Sequence, residues 1–181
     1  MLSLVLLLFG CATTKHQHQT QLVNINQWKV TGVISINHDN KNDVAYFNWQ
    51  QSQDNYTLDL HGPMNLGSVH IAGNKQRTIL QQTKNQQIIA RTPENLIYRQ
   101  FGWFLPISNL KYWIFASPAP CKAKALQFDT YNHLIQFTQQ GWQINYSNFI
   151  ALKNIDLPSK IEIKNSKLKI KIIIKTWIIN S

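Results

Sequence analysis

From Trp28 onward, apolar and polar residues alternate with a period of two. Trp28, Val30, Ile34 and Ile36 share one face and Lys29, Thr31, Ser35 and Asn37 the other, which predicts a strand buried on one side. Residues 37–43 are a polar turn, and the chain returns from Val44 to Gln50 with Phe47 and Trp49 on one face. Tyr56, Leu58 and Leu60 alternate again, as do Val69 and Ile71 after a loop at 61–67, and weaker strands are predicted near 77–82 and 86–91. The period then changes. Thr92 followed by Pro93 and Glu94 has the form of an N-cap with proline at the first helical position, and opens a short helix carrying Leu96, Ile97 and Phe101. A second helix begins near Ser108, places Leu110, Trp113 and Ile114 at i, i+3, i+4 spacing, and stops before Pro118. Strands resume at Leu126–Phe128, His133–Thr138 (with Ile135 and Phe137), Trp142–Tyr146, Ile161–Ile163 and Leu168–Ile174, with turns at 129–132 and 140–141. About ten or eleven antiparallel strands with a helical insert predict a mainly β protein, a curved sheet or open barrel whose helices cap one mouth.

The first 26 residues follow a different pattern. Residues 2–9 are apolar apart from Ser3, end in Gly10-Cys11, and give way to a polar stretch, which is the layout of a secretory signal. The run is shorter than the ~20 residues that span a bilayer. Leu8-Phe9-Gly10-Cys11 resembles the bacterial lipobox, which implies that residues 1–10 are a lipoprotein signal peptide and that Cys11 becomes an acylated N-terminus. Residues 11–26, polar and without period, are then a lipid-anchored flexible tether, and 27–181 one folded domain. With Cys11 acylated, Cys121 lacks an intramolecular partner and reads as a small hydrophobe, buried or peripheral.

Charge and chemistry narrow the function by exclusion. The formal charge is +10, and half of that excess falls in the last 31 residues, where seven lysines face Asp156 and Glu162. Such a surface attracts nucleic acid or anionic membrane. Asn and Gln make up about a fifth of the chain and Lys is preferred to Arg, so the charge reads as compositional bias and no nucleic-acid partner is predicted. Esterase, metalloprotease and phosphate-loop motifs are missing, as are paired cysteines. His16 and His18 lie in the tether, His38 in a turn, and His61, His70 and His133 at strand edges, where a solvated or satisfied imidazole is expected. The eight carboxylates are dispersed and form no acid/base pair by spacing. The chain is therefore expected to be no enzyme and to need no metal or cofactor.

Four segments resemble one family. WKVTGVISI at 28–36 with AYFNWQ at 45–50 is similar to a "Gly…Phe-x-Trp-Gln" opening; LHGPMNLGS at 60–68 is similar to a Gly-Pro-Leu-Gly loop; LPISNLKYWIFASP at 105–118 carries a Pro-x-x-x-Leu-x-x-Trp-Ile helix; and IKIIIKTW at 170–177 matches a closing strand. Their order and spacing resemble the LolB family, outer-membrane lipoproteins that receive lipoproteins from the periplasmic carrier LolA. The resemblance implies an incomplete antiparallel β-barrel lidded by short helices around an apolar cavity for acyl chains. Its partners would be a LolA-like periplasmic carrier, acylated lipoproteins and outer-membrane phospholipid. It also implies a monomer anchored through Cys11 on the periplasmic face of the outer membrane, and Ala12 after the cysteine agrees with that sorting.

On that frame the alternating faces nominate Trp28, Val30, Ile34, Phe47, Trp49, Leu58 and Leu60 for the cavity wall, with Leu110, Trp113 and Ile114 from the lid. In the family an exposed leucine at the tip of the Gly-Pro loop enters the membrane. Here Met64 follows Pro63 at that place, Asn65 replaces the usual glycine and Leu66 comes next, so either apolar residue is a candidate for insertion. Two other readings fit the same residues: a LolA-like soluble lipid or lipoprotein carrier without an anchor, and a structural envelope lipoprotein using its Lys-rich C-terminal face.

Overall fold

The computed structural model describes residues 25–39, 41–62, 67–83 and 86–180. Eleven strands and two helices follow in order: β1 Gln27–His38, β2 Lys41–Ser52, β3 Asn55–His61, β4 Ser68–Gly73, β5 Thr78–Thr83, β6 Gln86–Ala90, α1 Pro93–Phe101, α2 Ile107–Trp113, β7 Ala123–Phe128, β8 Leu134–Gln139, β9 Trp142–Leu152, β10 Ile155–Lys164 and β11 Leu168–Asn180. All strands join one antiparallel sheet in the order β6-β5-β4-β3-β2-β1-β11-β10-β9-β8-β7. The first and last strands pair at its centre. Its two edges, β6 and β7, are the strands on either side of the helical insert, so the sheet curls without closing and the helices occupy its hollow. The fold is the open, helix-lidded antiparallel barrel that the sequence predicts. Ile25, the first residue described, packs on the core, while the Asn26 carbonyl accepts from the Gln53 N–H at 2.7 Å.

Local chemistry sets the helix ends. The Thr92 hydroxyl accepts the Asn95 N–H, Pro93 opens α1, and Gly102 closes it in the left-handed conformation at φ 78°. Of the apolar residues predicted on α1, Leu96 and Ile97 are buried and Phe101 stays partly exposed.

Two irregularities hid strand length from the alternation. A bulge displaces the β1–β11 register between Thr31 and Gly32, so that Lys175 and Thr176 both face outward and burial resumes at Trp177 rather than at residue 176. Gly32 is needed there because a Cβ would overlap the Ile173 carbonyl oxygen and crowd Phe47. β10 begins six residues before the predicted Ile161 and includes Pro158, a poor strand residue. The proline is tolerated because the β10–β11 ladder covers only Lys160–Lys164, leaving that stretch paired with β9 alone.

The lid is tied to the sheet by one buried amide. Gln139, only 2% exposed, accepts the Trp113 indole N–H at 2.7 Å and the Ala119 N–H at 3.0 Å, and donates to the carbonyls of Ala119 and Cys121. Beside it the Tyr146 hydroxyl donates to the Trp113 carbonyl at 2.7 Å, and burial holds that phenol's pKa well above 10. Cys121 itself is exposed, the peripheral of the two settings expected for it, and its backbone carbonyl is bound by Gln139.

The histidines on the strands take up the dispersed carboxylates. His70 pairs with Asp59, His38 with Asp43 at 2.9 Å, and His133 lies between Asp129 at 2.8 Å and Asp156 at 3.0 Å with its ring stacked on Phe149. Burial alone would lower the His133 pKa, but its bonds to Asp156 and Asp129 outweigh that and hold it above the ordinary 6.5.

Two outcomes follow. Gln139→Leu strands an indole N–H, an amide N–H and two carbonyls, and should lower the unfolding free energy by about 3 kcal/mol in a urea titration. A raised imidazole pKa contributes stability that is complete below about pH 6.5 and is lost as pH rises through the folded-state value. Stability of the chain should therefore decline from about pH 6.5 upward, and His133→Gln should flatten that decline.

Candidate functional site

The hollow between the sheet and its lid is not filled. A cavity of about 430 Å³ lies between β1–β4 and the helices, within the ~300–1,000 Å³ range of small-molecule pockets. Its floor carries Ile34, Phe47, Trp49, Leu58 and Leu60, and its roof Leu110 and Ile114. Asn42 and Asp43 are its polar wall residues among those described, and both sit at the rim. A chamber of this kind offers apolar contact along its depth and, among the described residues, presents no convergent titratable groups for proton transfer.

Three nominated residues belong elsewhere. Val30 and Trp113 are fully buried in packed core. Trp28 turns toward the end where the chain enters and meets Trp49 at 5.1 Å, Phe115 at 5.3 Å and Trp177 at 6.2 Å. These four rings plug one end of the barrel. Alternation correctly put Trp28 and Val30 on the inner face, but it could not tell which inward residues meet a partner and which meet the void. Trp49 serves both, touching the plug and lining the cavity floor.

The opposite end is the mouth. The β1–β2, β8–β9 and β10–β11 turns gather there, as the pairings His38↔Lys41, His38↔Leu168 and Lys164↔Gln143 require. Gly62 and Gly67 line the same rim. Pro63, Met64 and Leu66 lie outside the described residues, as does Cys11. Across from it, Trp103 stacks on Phe101 at 5.5 Å and approaches the His38 ring at 5.9 Å, while Phe104 is 53% exposed. Neither Trp103 nor Phe104 stood out in the sequence as a site residue. Three aromatics around the helix-ending Gly102 were the available signal.

A sheet that stays open around a lidded apolar chamber defines a class: the LolA-like fold, with room for apolar guests. Solved structures agree. A LolA superfamily protein from Nitrosomonas europaea superposes with a TM-score of 0.55 at 10% identity over 87% of this chain and 88% of that one. A DUF1329 family protein from Desulfovibrio piger does so with a TM-score of 0.56 at 9% identity over 89% and 88%. At the level of sequence, the family described as outer membrane lipoprotein LolB matches residues 26–177. Outer-membrane lipoprotein LolB of Coxiella burnetii (strain RSA 493) is 37% identical over 95% of this chain and 88% of its own length; that of Francisella tularensis (strain FSC 198) is 34% identical over 97% and 91%. The chain belongs to the LolB family of outer-membrane lipoproteins, which serves lipoprotein localisation and is not enzymatic.

A side chain that borders a void loses fewer contacts on truncation than one in packed core. Ile34→Ala should therefore cost no more than about 1.5 kcal/mol, and Ile163→Ala, fully buried away from the cavity, about 3 kcal/mol or more, read from urea midpoints. Equal costs at the two positions would mean that the chamber is filled in solution.

Proposed function

We propose that this chain takes acylated lipoproteins from a LolA-like periplasmic carrier into its lidded cavity and passes them into outer-membrane phospholipid. In this reading acylated Cys11 holds it at the periplasmic face of that membrane. The observation that carries the proposal is the apolar cavity open at one end, with Gly62 and Gly67 at that opening. Each methylene moved out of water is worth about 0.8 kcal/mol, so free acyl chains cannot diffuse through an aqueous compartment unescorted. They must travel from one apolar chamber to another through apposed mouths. Membership of the LolB family makes the lipoprotein the natural cargo.

Within this scheme Met64 or Leu66 is the residue that enters the bilayer and allows release. Replacing both with glutamate adds two charges that resist burial in hydrocarbon. Met64→Glu with Leu66→Glu should leave acceptance of a loaded lipoprotein from LolA intact and block its release into liposomes. The assay is transfer from loaded carrier followed by flotation. Release at the unsubstituted rate would overturn the role given to the loop, and no transfer from LolA to the unsubstituted chain would overturn the function itself.

A further inference from the structure

The mouth end of the sheet carries a charge pattern that neither cavity nor lid requires. Lys124↔Thr138, Thr138↔Gln143, Gln143↔Lys164, Lys164↔Lys169 and Lys169↔Asn37 are successive register partners on adjacent strands. They form one row across six strands, roughly 24 Å long at ~4.8 Å per strand. The neighbouring row, Phe137, Ile144, Ile163 and Ile170, is fully buried, so this row faces solvent as the last outward-facing register before the turns. Lys122 flanks it at one side and Lys167 follows in the β10–β11 turn, both exposed.

The pattern is unfavourable by itself. Lys164 and Lys169 are directly opposed, and like charges in that position destabilise a sheet. Among the described residues the Lys–carboxylate pairs are Lys75–Asp54 and Lys171–Glu162, so no carboxylate relieves the row. The nearest acids at this end are Glu162, held by Lys171, and Asp39 and Asp43, which flank His38. Lys122, Lys124 and Lys164 instead border an open groove of about 600 Å³ with Gln140 and Gln143.

We propose that this lysine row binds the headgroups of anionic phospholipids and sets the cavity mouth against the bilayer. The row ends at β1, next to His38 and therefore next to Trp103, Phe101 and exposed Phe104. Cations beside exposed aromatics in one rim match a lipid interface, where phosphates lie above hydrocarbon. The role rests on the reading of the mouth as the release site, but its test needs neither cargo nor carrier.

The full chain bearing Cys11→Ser, so that no acyl anchor contributes, is floated with vesicles of phosphatidylcholine alone or with added phosphatidylglycerol. Lys124→Glu, Lys164→Glu and Lys169→Glu together should weaken binding to the anionic vesicles about tenfold or more and leave the neutral ones unaffected. Lys75→Glu, Lys153→Glu and Lys175→Glu, away from the rim, impose the same charge change and should weaken it less than about threefold. Lys169→Glu alone sets a carboxylate opposite Lys164, so it should keep or raise the urea midpoint and still reduce binding. Equal losses from both triple variants would assign the binding to net charge and overturn the proposal. Retained vesicle binding with slowed uptake from a loaded carrier would overturn it too, by assigning the row to an acidic protein partner. Failure of lipoprotein transfer with rim-dependent vesicle binding intact would count against the function above and not against the rim.

Discussion

The fold turns on the side chain of Gln139. A sheet whose edges do not meet has to be spanned, and the polypeptide that spans it, residues 91–122, has little regular backbone pairing of its own between Trp113 and Cys121. Gln139 supplies that pairing by offering one acceptor to two donors and one donor group to two carbonyls. With Tyr146 bonded to the Trp113 carbonyl, the trailing end of the lid is fastened to β8 and β9 by directional bonds in a dry setting. The leading end, from Phe101 to Leu110, covers the cavity with apolar side chains and is pinned beside it, where the Asn109 amide donates to the Gln140 side-chain oxygen at 2.7 Å and the Gln100 amide to that of Gln82 at 3.2 Å.

The two ends of the barrel also differ. Where the chain enters, Trp28, Trp49, Phe115 and Trp177 close the interior with ring contacts between 4.9 and 6.2 Å. At the other end the rings of Phe101, Trp103 and Phe104 stand at the rim and leave it open. The first end is narrowed by packed rings, and the second presents apolar and cationic groups together.

Much of this was legible in the sequence, for identifiable reasons. Helix α1 was marked by Thr92-Pro93, whose capping role is local, and the one-sided strands by alternation, which follows from the pleat. What failed was whatever depends on a neighbour distant in sequence. The bulge at Gly32 inverts the parity of β11 beyond Ile174, and nothing local to that strand announces it. Pro158 concealed the first half of β10, since its acceptability depends on where β11 departs. Of the nominated cavity residues, those facing the lid across empty space and those facing another ring have the same pattern, so Trp28 could not be told from Phe47. Gln139 was the missed signal. It lies two residues after Phe137 on the same inward face, and a glutamine at an inward strand position implies a polar partner.

The openness of the mouth has an energetic rationale if the guest is an acyl chain. A chain of about fifteen methylenes moved wholly from water to a dry pocket gains about 12 kcal/mol, which alone corresponds to a nanomolar dissociation constant. A sealed chamber of that quality would bind well and release slowly, for affinity differences reside mostly in dissociation rates. Release becomes fast when the chain passes into a second apolar medium without crossing water, because nearly all of the burial energy is then retained along the way. That condition is one of geometry: the mouth must lie against the bilayer. On the proposal made for the rim, a fold with packed rings at one end and a row of lysines along the mouth would meet that condition through shape and charge, with no chemical energy source.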